Sequence, residues 1–330
     1  MNKELLRVNN LKKYYPIKGG FLGQTINHVK AVDDISFVVY EGETVSLVGE
    51  SGCGKSTAGR SILRLEEPTA GDVYFDGIDL TTLTKKELRK TRKNMQIIFQ
   101  DPFASLNPRQ TIAQILQEAL LIQNVVPREQ RKAKALELLE TVGLASYQAD
   151  RYPHQFSGGQ RQRVGIARAL SLNPKLIICD EAVSALDVSI KAQILNLLKS
   201  LQKRFKLTYL FISHDLGVVR HISDRVIVMY LGRIVETADK KTLFENSKHP
   251  YTKALLSAIP VPKPGGKKER IVLTGDVPSS IDPPEGCRFH TRCPFAAEKC
   301  IKEMPELRPI FGSAPGHMSA CHFYEEIFNG

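Results

Sequence analysis

Residues Val45–Thr57 read VSLVGESGCGKST, a short apolar run that breaks into a glycine-rich loop ending in Gly-Lys-Ser-Thr. The run suits a strand covered on both faces, a turn-like Glu41-Gly42-Glu43 precedes it, and Lys55–Leu65 reads as a helix. In that strand, loop, helix order, Gly49, Ser51, Gly52 and Gly54 belong to a loop whose backbone N–H groups converge on phosphate oxygens. Lys55 would reach the β- and γ-phosphates, the Ser56 hydroxyl would ligate Mg²⁺, and the helix that continues through Thr57 adds its positive end. Cys53 fills a variable position and is assigned no role.

Three further strand ends carry polar groups. Leu176–Cys179 is a continuous apolar run that ends in Asp180 and Glu181, where ligands bind in open α/β sheets. Asp180 would orient Mg²⁺ through its water shell, and Glu181 would polarise an attacking water. Thr208–Ile212 reads as another buried strand with His214 just beyond it, placed to contact a γ-phosphate and hold that water. Gln96–Phe99 ends in Gln100, which can sense Mg²⁺ and the water while leading into the loop Asp101–Gln110.

About a hundred residues after the phosphate loop comes FSGGQ, Phe156–Gln160. Ser157 is a good N-cap, Gly158 and Gly159 permit close backbone approach, and from Gln160 onward RQRVGIARAL has apolar residues at helical spacing. A helix that starts in this way binds an anion. Phosphate loop, strand-end acids, Gln100, His214 and FSGGQ together resemble the ATP-binding cassette (ABC) ATPases. The resemblance implies that Ser157–Gln160 binds the γ-phosphate of ATP held by an opposite subunit, with Ser184–Asp187 (SALD), including Asp187, at the same interface. By register with that family, Tyr15 of LKKYYP is the residue to stack on adenine, the alternative being an aromatic that packs on the first sheet. Ala182 stands where the family usually has proline, which removes a fixed φ but no chemical group.

The fold class that follows is α/β: a P-loop ABC ATPase core with an antiparallel β subdomain, an inserted α-helical subdomain and a small Cys-rich C-terminal extension. Residues 1–109 and 167–240 are expected to form the core. Helical periodicity between Gln110 and Tyr152, with a stop near Gly143, places the helical subdomain at 110–166, and 241–330 forms the extension. With 330 residues and 42% hydrophobic content the chain can bury a large core. The net charge is +11, and residues 261–330 hold nine Lys/Arg and nine Asp/Glu, so the excess lies in the ATPase region. Such a surplus suits an anionic membrane surface or nucleic acid equally. No run approaches the roughly 18 apolar residues of a membrane span, and MNKELLRVNN lacks a signal peptide's apolar core. The expected location is therefore the cytoplasmic face of the membrane, reached through partners.

The insertion is too short for the long coiled coils or zinc modules of chromosome-organising and repair ABC proteins. Translation-associated relatives carry two cassettes, whereas this chain has one, so a transporter subunit is preferred to a nucleic-acid role. Outside the shared motifs, QDPFASLNPR, RYPHQFSGGQRQR, VSALDVSIKAQILNLL and HPYTKALLSAIP at His249–Pro260 resemble the ATPase subunits of bacterial oligopeptide/dipeptide importers over essentially the whole chain. The resemblance implies a second ATPase subunit as heterodimer partner, two permease subunits and an extracytoplasmic solute-binding protein, and no nucleic acid. Nickel and glutathione importers belong to the same family and remain alternatives.

Four of six cysteines lie late in the chain: Cys287, Cys293, Cys300 and Cys321, spaced C-x5-C-x6-C-x20-C. A cytosolic chain argues against disulfides and clustered thiols favour metal. Tight C-x2–4-C pairs of structural zinc sites are absent, so a [4Fe–4S] cluster is the leading reading, with zinc and free thiols as alternatives. Iron–sulfur tails are also what the importer resemblance implies. Val261–Gly266 reads as a linker into this tail, which lies far along the chain from Lys55 and Glu181 and is therefore expected to stabilise or contact the partner ATPase rather than take part in hydrolysis.

Overall fold

The computed structural model describes residues 3–19, 24–101, 105–259 and 271–329. Phe103 and the linker at 261–266 lie outside the described residues. In chain order the strands are β1 (Glu4–Gly19), β2 (Gln24–Tyr40), β3 (Thr44–Val48), β4 (Ala70–Phe75), β5 (Ile78–Asp79), β6 (Met95–Ile98), β7 (Leu176–Asp180), β8 (Thr208–Ser213), β9 (Arg225–Tyr230), β10 (Arg233–Asp239), β11 (Arg308–Pro309) and β12 (Met318–Ser319). The α-helices are α1 (Lys55–Ile62), α2 (Lys85–Thr91), α3 (Ile112–Ile122), α4 (Arg131–Thr141), α5 (Gly158–Leu170), α6 (Val188–Phe205), α7 (Leu216–Ile222), α8 (Lys240–Asn246), α9 (Pro250–Ser257), α10 (Glu298–Lys302) and α11 (Tyr324–Asn329).

Contacts divide the chain into two compact units, one of residues 1–3, 40–44 and 82–212, the other of residues 4–39, 45–81 and 213–330. This division differs from boundaries drawn at 110, 167 and 241. The helical insertion shares a unit with strands of the sheet, and the tail shares the other with the phosphate loop.

In the first unit β6, β7 and β8 run parallel, in register Met95↔Leu176 and Leu176↔Thr208. Every residue of β7 and β8 is buried, which is why both read as unbroken apolar runs rather than as alternation. Helices α3, α4 and α5 pack on one another. Thr111 and Gln114 close a capping box at the start of α3. Gly143, at φ +74°, ends α4 in a left-handed turn that a side chain would resist.

In the second unit β2, β1, β4 and β5 form the antiparallel layer, with Leu6 opposite Phe75 and Val8 opposite Val73. Beside it lies a row in the order β11, β12, β10, β9, β3, where β3 and β9 are parallel and the remaining pairs antiparallel. The tail thus adds its own strands, Ser319 pairing with Glu236. Glu236 is fully buried, and its carboxylate accepts bonds from the backbone N–H groups of Lys248 and His249 and pairs with His317 Nε2 at 2.9 Å. Because a buried carboxylate must be satisfied, this one residue ties the β10 strand, the approach to α9 and the tail together.

Candidate active site

In the second unit the phosphate loop leaves β3 and wraps the start of α1. Gly54, the N-cap, has φ +101°, and an added Cβ would lie 2.0 Å from the Ala31 carbonyl oxygen. Only glycine can hold this turn. Gly54 supplies no side-chain acceptor, so the first N–H groups of α1 are left for an external anion. Lys55 is 4% exposed, and its ammonium donates to the carbonyls of Gly49 at 2.9 Å and Glu50 at 2.8 Å. Ser51 and Gly52 are exposed at the crown of the loop, and Ser56 and Thr57 are half-buried on the first turn. These are the features a triphosphate requires: a backbone without Cβ atoms in its path, an open helix start and a preplaced cation.

The tyrosines of β1 have separate partners. Tyr14 donates its hydroxyl to Asp33, and burial and this bond push the pKa of the Tyr14 phenol up to about 12. Tyr15 donates to Glu66, also bonds Thr57 of the first turn of α1, and has the Lys13 ammonium 4.8 Å from its ring centre. Burial opposes ionisation of Asp33, but the Tyr14 hydroxyl, Arg233 and Arg288 together hold it below the usual carboxylate value. His214 is exposed at the end of β8, at the start of this unit's 213–330 segment.

In the first unit Gln100 Nε2 donates to Glu181 Oε2 at 2.9 Å. Asp180 is buried, and Glu181 turns out of the strand at φ +48°, a left-handed conformation that costs a non-glycine residue about 1 kcal/mol. Its N–H donates to the Ile212 carbonyl and its own carbonyl accepts from Ser184. These bonds hold the strained turn, and the alanine at 182 is buried beside it. Ser157 caps α5, accepting from the Gln160 N–H while Gln160 Oε1 accepts from the Ser157 N–H. Gly159 approaches α6 so closely that a Cβ would meet Ile190 at 2.4 Å, while Gly158 retains more room beside Leu186. Asp187 is exposed at the start of α6. Gln100, Asp101, Gly158, Gln162 and Leu186 line one recess. Gln162 was not singled out from the sequence; it is 1% exposed and its Nε2 has no protein partner among the described residues. Leu106, in the loop that follows Gln100, is buried, and Arg168 of α5 holds the neighbouring Ser105 carbonyl.

The tail lies far along the chain from Lys55, yet it meets the phosphate loop in space. Arg292 Nη1 donates to Glu50 Oε2 at 2.8 Å and Nη2 to Oε1 at 3.3 Å, while the Glu50 N–H donates to the Tyr251 hydroxyl at 2.8 Å. Phe289 anchors the cysteine turn by packing against Tyr230 (5.3 Å between ring centres) and Tyr251 (5.4 Å). The arginines of GCRFHTRC and the tyrosine of HPYT were present in the sequence, but nothing in their spacing names a phosphate loop some two hundred residues away.

Cys287, Cys293, Cys300 and Cys321 line one cavity together with Phe289, Phe295 and Phe323. Burial pushes the Cys287 thiol up to about 12 and Cys321 up to about 11, so thiolates here require a cation. Among the described residues no three Cys, His, Asp or Glu side chains are grouped as one metal site, so the geometry lends support neither to the [4Fe–4S] cluster nor to zinc.

Residues 32–184 match the ABC transporter family, and residues 235–300 match the C-terminal region of oligopeptide/dipeptide transporters. The oligopeptide transport ATP-binding protein AppF of Bacillus subtilis is 56% identical over 97% of both chains. The chain belongs to the ATP-binding subunits of ABC transporters. A putative peptide import ATP-binding protein of Brucella ovis is 54% identical, covering 96% of this chain and 97% of its own. Among solved ABC cassettes, the dimeric MJ0796, in a post-hydrolysis state bound to ADP and Pi, is 33% identical with a TM-score of 0.64, covering 72% of this chain and 99% of that one. The cassette cbiO1 of Clostridium perfringens, part of the transporter complex cbiONQ, is 27% identical with a TM-score of 0.63, covering 74% and 92%. This ABC subunit is an ATPase, and among its described residues no helix is long and apolar enough to cross a membrane.

Proposed function

We propose that this ABC subunit hydrolyses ATP to drive import of oligopeptides or dipeptides, docked on two permease subunits at the cytoplasmic face of the membrane and supplied by a solute-binding protein. The observation that carries the substrate class is the near full-length identity to AppF, together with the match at 235–300 to the oligopeptide/dipeptide C-terminal region. In this reading the loop Gly49–Thr57 cradles the phosphates, with Lys55 on the β- and γ-phosphates and Tyr15 against the base. Ser56 and Gln100 ligate Mg²⁺, Asp180 holds its water shell, Glu181 activates water and His214 steadies it. Ser157–Gln160 and Asp187 face ATP on a second, different ATPase subunit. Support comes from the Gln100–Glu181 bond and from the capped, glycine-opened start of α5.

The cysteines are read as ligands of a [4Fe–4S] cluster, held by Cys287, Cys293, Cys300 and Cys321. A cluster is larger than one ion, so its ligands stand around a cavity rather than at a point. Its contribution would be to cross-link the tail. The functional division remains a core at 1–109 and 167–240, a helical subdomain at 110–166 and an extension at 241–330.

Purified with its permeases and partner ATPase in proteoliposomes, the complex is expected to accumulate labelled peptide in an ATP-dependent manner. Uptake of nickel or glutathione but not peptide would refute the substrate class while leaving the ATPase reading intact.

A further inference from the structure

Glu50 occupies a position in the phosphate loop for which the nucleotide itself makes no demand. All three of its polar groups are nevertheless engaged, each with a different element. Its carboxylate is gripped by both Nη atoms of Arg292, at 2.8 and 3.3 Å. Its N–H donates to the hydroxyl of Tyr251, and its carbonyl accepts from the Lys55 ammonium at 2.8 Å. Arg292 is only 9% exposed and its charge is retained because Glu50 and Tyr230 offset the cost of burial. A forked pair of this kind, with the arginine buried and the carboxylate partly exposed, is geometrically demanding, since planar guanidinium and carboxylate must stay aligned. Arg292 itself is fixed by the turn that carries it: its N–H donates to the Phe289 carbonyl, and Phe289 is locked between Tyr230 and Tyr251.

We propose that Arg292 is a positioning residue for nucleotide binding, through which the cysteine turn Cys287–Cys293 sets the phosphate loop and the placement of the Lys55 ammonium. A second arginine of the same turn strengthens the case. Arg288 donates to Asp33 at 2.7 Å, and Asp33 accepts the hydroxyl of Tyr14, the neighbour of Tyr15. The turn therefore grips the phosphate loop directly through Arg292 and, through Arg288 and Asp33 of β2, reaches the Tyr14 hydroxyl of β1. Because linkage is reciprocal, nucleotide binding must in turn steady the cysteine turn. The proposal rests on the reading of Gly49–Thr57 as the nucleotide loop.

The test uses the full-length chain and MgATP. Affinities are measured for the wild type, Arg292→Ala, Arg292→Lys, Glu50→Gln, the Arg292→Ala/Glu50→Gln double variant and Lys55→Ala, with amide hydrogen exchange followed at residues 286–293. Arg292→Ala and Glu50→Gln are each expected to weaken binding fivefold or more, and the double variant no further than the worse single one, since both remove the same link. Arg292→Lys keeps charge without the fork and should recover part of the loss. MgATP should slow exchange across 286–293 in the wild type and lose that effect in Glu50→Gln. Losses below fivefold, additive losses, or nucleotide protection that persists in Glu50→Gln would overturn the proposal. If Arg292→Ala does not fold, Glu50→Gln decides alone, by affinity and exchange together. A wild type that binds MgATP no better than Lys55→Ala would reject the nucleotide reading itself, and the link with it.

Discussion

Gln100 and Glu181, 81 residues apart in the chain, are joined by a single side-chain hydrogen bond of 2.9 Å. The strand ends of β6 and β7 bring them together, in register Ile98↔Cys179. The amide thereby fixes one carboxylate oxygen of Glu181 at the end of β7.

Glu181→Gln is expected to preserve ATP binding and lower turnover by roughly 10²–10⁴-fold, the usual worth of a general base. Phosphate release, assayed with the partner ATPase, against nucleotide affinity separates the two effects. Near-normal steady-state turnover would remove Glu181 from its role.

Gly54→Ala should destabilise the chain by on the order of 2 kcal/mol or more, because the left-handed turn and the Ala31 carbonyl both oppose a Cβ. Gly52→Ala is the control. Its φ is +79° but nothing lies within 4 Å of the added atom, so only the backbone cost of about 1 kcal/mol applies. Urea unfolding curves measure the difference, and equal losses at the two positions would contradict the close packing at Gly54.

His249 gives a pH dependence whose sign is set by burial. The residue is 1% exposed, caps α9 by accepting the Tyr251 N–H on Nδ1, and burial lowers its pKa from 6.5 to about 3. The folded form keeps the ring neutral while the unfolded chain takes up a proton, so its stabilising contribution is complete above about 6.5 and is lost as pH falls towards 3. Between pH 6.5 and 5 this amounts to roughly 2 kcal/mol, at about 1.4 kcal/mol per unit. His249→Asn retains an acceptor for the cap and should flatten that part of the stability curve. Parallel curves for the two proteins would show that His249 is not the titrating group.

Protein isolated without oxygen is expected to carry iron and acid-labile sulfide and to absorb broadly in the visible range, and Cys300→Ser should lose all three. Stoichiometric zinc with no iron would replace the cluster reading, and full reactivity of all four thiols would end any metal reading.

The sequence by itself determined the local chemistry of the fold. The run Thr44–Val48, the acids after Leu176–Cys179 and the cap at Ser157 are legible because each depends on neighbours within a few residues: burial on both faces, a strand end, a helix start. The glycines of the loop declare a backbone that side chains cannot adopt, again a local property. The tertiary structure alone decided which distant groups meet. Arg292 reaches Glu50 across 242 residues, Arg288 reaches Asp33 across 255, and Leu106, in the loop after Gln100, is buried. A single charged residue has no periodicity, so nothing in its surroundings along the chain records its partner. Such pairs are selected only when the apolar faces of β9, α9 and the cysteine turn have packed and excluded water, which makes an unpaired charge too costly to leave.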